Sequence, residues 1–493
     1  MRCLDRKYGL IFLALWMPPF LASAEPIGLL DIIQQVWQAN PDLKIANTDH
    51  ALAQNRTLSI ESMLDADASI SSMIREDNNT PSNLFSVDKT TLAQVAGRVS
   101  QPLEDGSSLS AHISYNRTRL RYPNTMPATF QSAYNPAYEQ EIGISYRYPI
   151  LKGHDFPSYH QQHFALTSEA SALTFMREQL KEKLADEAIS QYFQMLANDV
   201  SLQLAKDSVK RANRLLQYQR EREEMGLIEK ADRLQAEAQL ATRKVELSKA
   251  KSDALRSKRM MNRLMFRASD TPIEINPVES DQILEQIRPT LDTANAFDTA
   301  RQSRPYFKAL SSRLQASDAR MQIANDGEKM QLDVITEVGT RALNQRPGGA
   351  VSQGLHATYP YVSMQVEWSS FMPSRQEENA IEKVELDRQR ILQEHQQALE
   401  TLKDELTMAE DSVERHYAQI SLMRKQAAIE MLKLKEETRR YRDGRSDTAT
   451  LIRFENELHA AEVQKAQQEI SLQLAEYRLS LARGTLIPIL TQP

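Results

Sequence analysis

The sequence predicts a mainly helical chain with a small membrane β-barrel portion, organised as two copies of one plan. Three observations predict it: an internal repeat without gaps, two long helical stretches that each turn back at a glycine, and short segments that alternate apolar with polar residues.

The repeat sets the frame. Gly226, Ala231, Glu237 and Leu240 recur at one fixed offset as Gly444, Ala449, Glu455 and Leu458. A second match joins Asn40-Pro41 to Arg304-Pro305, each opening a helical stretch that leads into β-like sequence. Each half therefore reads helix, strands, long helix, tip, helix. The first repeat spans 25–268, with strands within 66–148 and a helical hairpin over 158–268. A Pro-rich lateral linker with short helices covers 269–303. The second repeat spans 304–485, with strands within 331–369 and a hairpin over 375–483, and a tail follows at 486–493.

The long helices are expected over 158–224 and 375–441, about 67 residues and about 100 Å each. In the second, Leu392, Leu399, Leu406, Val413, Ile420, Ala427, Leu434 and Tyr441 recur every seven residues, the seam of a helix packed along a partner. Ala188, Met195, Leu202, Val209 and Leu216 do the same in the first. Returning helices are expected over 227–267 and 446–483. Gly226 and Gly444 mark the turns, because a helix end commonly needs a positive φ that costs other residues more.

The alternating segments have the length of transmembrane strands, about ten residues. Tyr138, Gln140, Ile142, Ile144, Tyr146 and Tyr148 alternate with Glu139, Glu141, Gly143, Ser145 and Arg147. Leu332, Val334 and Val338 alternate with Asp333, Ile335, Glu337 and Gly339, and Val362, Met364, Val366 and Trp368 with Ser363, Gln365, Glu367 and Ser369. Terminal Tyr148 and Trp368 suit an aromatic girdle at a membrane interface. Two strands in the second half and about four in the first are too few to close a barrel, so strands that enter lipid need identical neighbours to satisfy their edges. The first half also carries a weaker strand over 95–101 and an alternating run at Leu109, Ala111, Ile113 and Tyr115. From strand start to strand start the first half holds about 42 surplus residues, assigned to an exposed hairpin.

Residues 1–24 read as a signal peptide: Arg2, Arg6 and Lys7 precede the apolar run from Gly9 to Trp16, and Ala22-Ser23-Ala24 offers a cleavage point. Without them the formal charge moves from −6 to about −8, which disfavours a nucleic-acid partner. The single cysteine, Cys3, lies in that leader, so a disulfide is not expected. No run downstream has the roughly 18 apolar residues of a membrane helix. No phosphate loop, nucleophile elbow or HExxH occurs, and an enzyme is not expected. His160 and His163 stand three apart at a helix start but lack a third ligand, so neither a metal nor another cofactor is expected.

The order of elements, the repeat and three further motifs together resemble the TolC-like outer-membrane factor family over essentially the whole mature chain. The motifs are Asn40-Pro41-Asp42-Leu43, the strand exit Tyr148-Pro149-Ile150-Leu151-Lys152-Gly153, and the end from Tyr477 to Gly484. The resemblance implies a homotrimer in the outer membrane of a Gram-negative bacterium, a shared barrel of about twelve strands at two per repeat, and a helical tunnel, an α-barrel, through the periplasm. It also implies an exit duct for a tripartite efflux pump or a type I secretion system, working with a periplasmic adaptor and an inner-membrane pump.

At the tips, the resemblance places a closing link at Asp232 and Tyr441. The arginine partner of the family falls on Ser446, with Arg442 and Arg445 beside it as substitutes. Paired aspartates that narrow the mouth in some members fall on Thr450 and Arg453, with Asp447 one turn nearer the tip. Adaptor docking points to Gly226, Leu227 and Gly444. A rival reading from the same periodicity is a periplasmic coiled-coil scaffold with no pore, which predicts a water-soluble protein.

Overall fold

The computed structural model describes residues 27–78, 86–288, 295–370 and 375–490. The expected leader and the last residues of the expected tail, 491–493, lie outside them. Two helices open the described chain, α1 (Leu29–Ala39) and α2 (Pro41–Glu61), the second capped by the Asn40 side chain accepting from the Asp42 N–H at 2.8 Å. Four strands follow: β1 (Asp67–Asn78), β2 (Lys89–Pro102), β3 (Ser108–Arg121) and β4 (Ala137–Pro149). The first hairpin is α3 (Pro157–Glu224) and α4 (Lys230–Leu264). Short helices α5 (Pro277–Ile287) and α6 (Ala296–Ser303) lead to α7 (Pro305–Glu328) and β5 (Gln331–Asn344). After α8 (Pro347–Leu355) and β6 (Pro360–Ser369) come the second hairpin, α9 (Arg375–Arg442) and α10 (Thr448–Ala482), and α11 (Leu486–Leu490).

The two hairpins match end for end: α3 and α9 both have 68 residues, and α4 and α10 both have 35. One constant offset carries every boundary of the first onto the second. Both long helices span about 100 Å at 1.5 Å per residue. They are rich in Ala, Leu, Glu, Lys, Gln and Arg, the residues that lose least on entering a helix. The returning helices begin later than 227 and 446, because the turn itself uses Leu227 to Glu229 and because Asp447 stands outside α10 as its N-cap.

The long seam of α9 follows the expected heptad from Leu406 downward but not above it. Leu392 is 43% exposed, while Ile391, Ala398 and Leu402 are buried against Phe307 and Leu310 of α7. The buried position moves by one residue, from Leu406 to Ala398 and Ile391, where α9 changes its partner. The upper part of α9 thus packs on α7 and the lower part on α10.

Where the hairpins meet the short helices lies the largest core. Leu29, Ile32 and Val36 of α1, Ile189, Tyr192 and Phe193 of α3, Met261 of α4, and Leu284 and Ile287 of α5 are buried together, joined by Tyr477 of α10 and Leu486 and Leu490 of α11. The Tyr192 and Tyr477 hydroxyls donate to the Asn276 and Ser280 carbonyls at 2.9 and 3.0 Å, so burial leaves neither unsatisfied. The expected tail is therefore, as far as Leu490, a helix that closes this core.

The strands form a single antiparallel sheet in the order β1-β2-β3-β4-β5-β6. The two repeats join at β4 and β5, where Gly143 pairs with Gly339. The surplus expected as an exposed hairpin is β2 and β3, and it lies within the sheet: β1 pairs with β2 over its full length, and β3 pairs with β4. Val95 and Val99 share a face with Ile70, Ile113 and Ile144, so the hairpin continues the two-sided pattern of its neighbours. Among the described residues the chain thus offers six strands, two more than the family resemblance implies, and three copies would bring eighteen instead of twelve. Among the described residues, no helix is long and apolar enough to cross a membrane.

Candidate functional site

Two regions carry the features that the sequence singles out, the hairpin tips and the sheet. At the first tip Gly226 adopts φ +73°, its N–H bonds the Glu223 carbonyl, and the Leu227 N–H bonds the Arg222 carbonyl at 2.9 Å. Gly444 repeats the arrangement at φ +71°, with the Arg445 N–H on the Arg440 carbonyl at 2.8 Å. This paired closure satisfies the last helix carbonyls and needs a left-handed residue. A Cβ at either glycine would meet nothing within 4 Å, so backbone conformation alone explains the residue type. Met225 and Leu227 stand 63% and 60% exposed beside the first turn.

Tyr441 is 4% exposed and joins the hairpins from the end of α9. Its hydroxyl is bonded to the Gln219 amide of α3 and lies 3.2 Å from the Thr448 hydroxyl of α10. Gln219 also donates to Thr448 at 2.9 Å. The Tyr218 ring meets the Tyr441 ring edge-on at 6.1 Å, and the Arg222 guanidinium lies over both rings at 5.6 and 5.8 Å. Leu215, Leu216, Ala236, Leu240, Leu451 and Ile452 pack around this polar knot.

The structure does not bring Asp232 to Tyr441. Asp232 lies half-buried in the first turn of α4, and no hydrogen bond joins the two among the described residues, because Gln219 and Thr448 occupy the hydroxyl. Arg442 and Arg445 are exposed, and Ser446 is bonded to the buried Glu437. Asp447 is the N-cap of α10: its carboxylate accepts from the Thr450 N–H at 2.6 Å, and that bond holds its pKa below the usual carboxylate value. Arg453 lies over the Phe454 ring at 5.1 Å and 3.9 Å from Glu457. The residues that sequence reading missed here are Gln219, Tyr218, Arg222 and Thr448. A tyrosine and an arginine four apart at a helix end were the only local signal.

Higher in the hairpins, a polar layer ties α3, α4 and α10 together. Gln239 and Arg243 both bond Asn456, and Arg211 lies 3.4 Å from Glu462. Glu455, one of the repeated residues, has its pKa raised by burial against the opposing pull of Arg211 and Arg243. His160 does not gather ligands: its Nε2 is 3.0 Å from the Glu104 carbonyl and its ring stacks edge-on with Tyr159. The one set of three metal-ligating side chains that come close together among the described residues lies in the sheet: His112, Glu141 and Glu337.

The sheet has two unlike faces. One carries Ile70, Ile74, Val95, Val99, Leu109, Ile113, Ile144, Tyr146, Val338, Val362, Met364, Val366 and Trp368, every one of them exposed. The other carries Ser69, Arg98, His112, Glu141, Arg147, Glu337 and Gln365 in the same registers. At the end remote from the hairpins α8 folds over the apolar face and buries Gln140 and Ala342. Near the hairpins Asp333, 2% exposed on the side chain, receives Arg147 and Gln331. The two outer strands, β1 and β6, each leave one edge without a neighbouring strand in the sheet.

By sequence, neither a protein-family model nor a characterised protein matches the chain. Solved structures do. The outer-membrane channel OprN superimposes with a TM-score of 0.63 at 15% identity, over 93% of this chain and 90% of its own. CusC, described in a study of its folding and transmembrane channel formation, gives 0.62 at 13% over 97% and 99%. The outer membrane protein VceC of Vibrio cholerae gives 0.62 at 14% over 92% and 96%. At these identities the likeness is one of fold, and over more than nine-tenths of its length this chain has the fold of the TolC-like outer-membrane channels.

Proposed function

We propose that the chain is one subunit of an outer-membrane channel of a Gram-negative bacterium, with its hairpins in the periplasm. Three copies close their sheets into one barrel and their hairpins into one tunnel. The observation that carries this reading is the sheet: an exposed apolar face backed by a polar one, with both edges open. In water so much contiguous apolar surface is a liability, and in lipid an open edge leaves backbone groups with no partner. Closing identical sheets edge to edge removes both costs and puts the polar face on an aqueous lumen. Six strands from each copy make eighteen. The solved structures that share the fold, OprN and CmeC of Campylobacter jejuni among them, are described as outer-membrane channels, which supports the same reading.

The tunnel serves as the exit duct of a tripartite efflux pump or a type I secretion system, carrying small molecules or proteins outward. The tips take the periplasmic adaptor, at the turns formed by Gly226, Leu227 and Gly444, and the inner-membrane pump supplies the cargo. Exposed Met225 and Leu227 give those turns an apolar contact surface. The aperture is shut from the tips, with Tyr441 as its fixed point and Asp232, Arg442, Arg445, Asp447, Thr450 and Arg453 around it.

The test is assembly and conductance of the mature protein. The outer-membrane fraction should yield a species that runs as a trimer unheated and as a monomer after boiling, and planar bilayers should show discrete conductance steps. A protein extracted without detergent, monomeric in lipid and electrically silent, overturns the proposal.

A further inference from the structure

On the polar face of the sheet, four strands build a hollow out of glycine. His112 of β3 stands opposite Gly143 of β4, Gly143 opposite Gly339 of β5, and Gly339 opposite Tyr361 of β6. The two outer side chains lean inward over the glycines. A Cβ at Gly143 would lie 2.6 Å from His112 Cε1 and 3.2 Å from a Glu337 carboxylate oxygen, and a Cβ at Gly339 would lie 2.7 Å from the Tyr361 hydroxyl. Glycine weakens a strand interior, and a facing pair of them marks a place where side chains need the space.

Glu141 and Glu337 flank that row, each two residues before its glycine and so on the same face. His112 Nε2 is 3.7 Å from Glu337 Oε1. One ligating atom from each of His112, Glu141 and Glu337 lies within 4.8 Å of the other two. The Tyr361 hydroxyl is bonded to both carboxylates, at 2.9 Å in the case of Glu141. Arg341 donates to Glu141 at 2.8 Å and fixes its orientation. The two carboxylates face the His112 imidazole, with Arg98 in the register on its other side.

We propose that His112, Glu141 and Glu337 bind a divalent first-row metal ion, of the zinc type, in the glycine hollow. One imidazole nitrogen and two carboxylate oxygens are a donor set that zinc accepts, with the fourth position open to water. Neighbouring ligands on one zinc stand about 3.4 Å apart at bond lengths of about 2.1 Å, close to the His112–Glu337 separation. Arg341 holds Glu141 from outside, as partners of metal ligands commonly do, and the Tyr361 hydroxyl bridges the two carboxylates. The site belongs to the sheet of one chain, so it stands whether or not copies assemble.

Zinc chloride titrated into the purified full chain in detergent, read by calorimetry, tests it. About one zinc per chain is expected, with affinity reduced at least tenfold in His112→Gln and in Glu337→Gln. The double variant His160→Ala, His163→Ala should bind as the wild type does. Cobalt(II) should give a visible band that His112→Gln abolishes. Should the variants fail to fold, the wild type still decides: zinc should protect His112 from diethyl pyrocarbonate. Absence of binding, unchanged affinity in folded His112→Gln, or no protection of His112 overturns the assignment. None of these readouts involves trimerisation or conductance.

Discussion

The Gln219 amide of α3 donates to the Tyr441 hydroxyl of α9, a bond between the two hairpins inside a buried knot at the tips. Thr448 receives the second amide hydrogen, so three helices converge on one glutamine side chain. A buried bond of this kind contributes about 1 kcal/mol, and a partner left unsatisfied costs about 1 to 3 kcal/mol.

Tyr441→Phe should therefore loosen the tips through Gln219 and not through Asp232. In a double-mutant cycle on unfolding, Tyr441→Phe and Gln219→Met should couple by about 1 kcal/mol, whereas Tyr441→Phe and Asp232→Ala should add within about 0.5 kcal/mol. Single-channel leak should rise with Tyr441→Phe and stay unchanged with Asp232→Ala. Strong coupling to Asp232 would show that the aperture uses a contact between copies instead.

The matched hairpins make a second prediction at their other ends. Gly484 ends α10 at φ +70°, and the equivalent residue after α4 is Phe266, at φ +56° and 55% exposed. A left-handed non-glycine residue costs about 1 to 2 kcal/mol, and this side chain regains little by burial. Phe266→Gly should stabilise the protein by about 1 kcal/mol. Gly484→Ala should destabilise it by more than Gly226→Ala does, because a Cβ at 484 collides with the Ser303 hydroxyl while one at 226 meets nothing. Thermal midpoints of the three variants rank the effects, and equal losses at 226 and 484 would contradict the packing argument.

The sequence carried the faces of the sheet and the plan of the hairpins, because both are periodic: Ile142, Ile144 and Tyr146 alternate, and Leu406, Ile420 and Tyr441 recur by sevens. Periodicity does not name a partner. Val95 and Leu109 read as strand without showing that β2 and β3 enter the sheet between β1 and β4. Leu392 fits a heptad on paper, yet α9 changes partner above Leu406, and Ile391 takes the buried position against α7. His112, Glu141 and Glu337 are far apart in the chain, and only strand register brings them together. Gly143 and Gly339, unusual in strands, were the visible trace. Nothing in the sequence marks Gln219, because its partner Tyr441 belongs to the other hairpin.

Opposite substitutions on adjacent positions of β6 test which face meets lipid. Met364 is 73% exposed on the apolar face, and Gln365 points to the polar one. An arginine facing lipid near the middle of a membrane strand costs about 2 to 4 kcal/mol, while a lumen position tolerates it. Met364→Arg should lower the yield of heat-sensitive trimer in the outer membrane, and Gln365→Arg should leave yield intact and alter conductance. The reverse pattern would turn the sheet inside out.

Glu182 of α3 gives the last prediction. It is 8% exposed, lines a cavity of about 730 Å³ between α3, α9 and α10, and accepts no hydrogen bond among the described residues. Arg304, the cation that acts on it most strongly, is already paired with Glu405 at 2.6 Å. Burial raises the Glu182 pKa to about 7, from 4.5, against the weaker pull of Arg304. Between these values the folded protein holds a proton that the unfolded chain has released, so stability falls as pH rises from 4.5 through 7. The loss approaches about 3 kcal/mol once both states are ionised. Glu182→Gln keeps the shape and removes the titration. Its unfolding midpoint should exceed that of the wild type at pH above 8, converge with it below pH 5, and lose most of the slope between. A wild-type slope retained in Glu182→Gln would place the titrating carboxylate elsewhere, with buried Glu455 as the next to substitute.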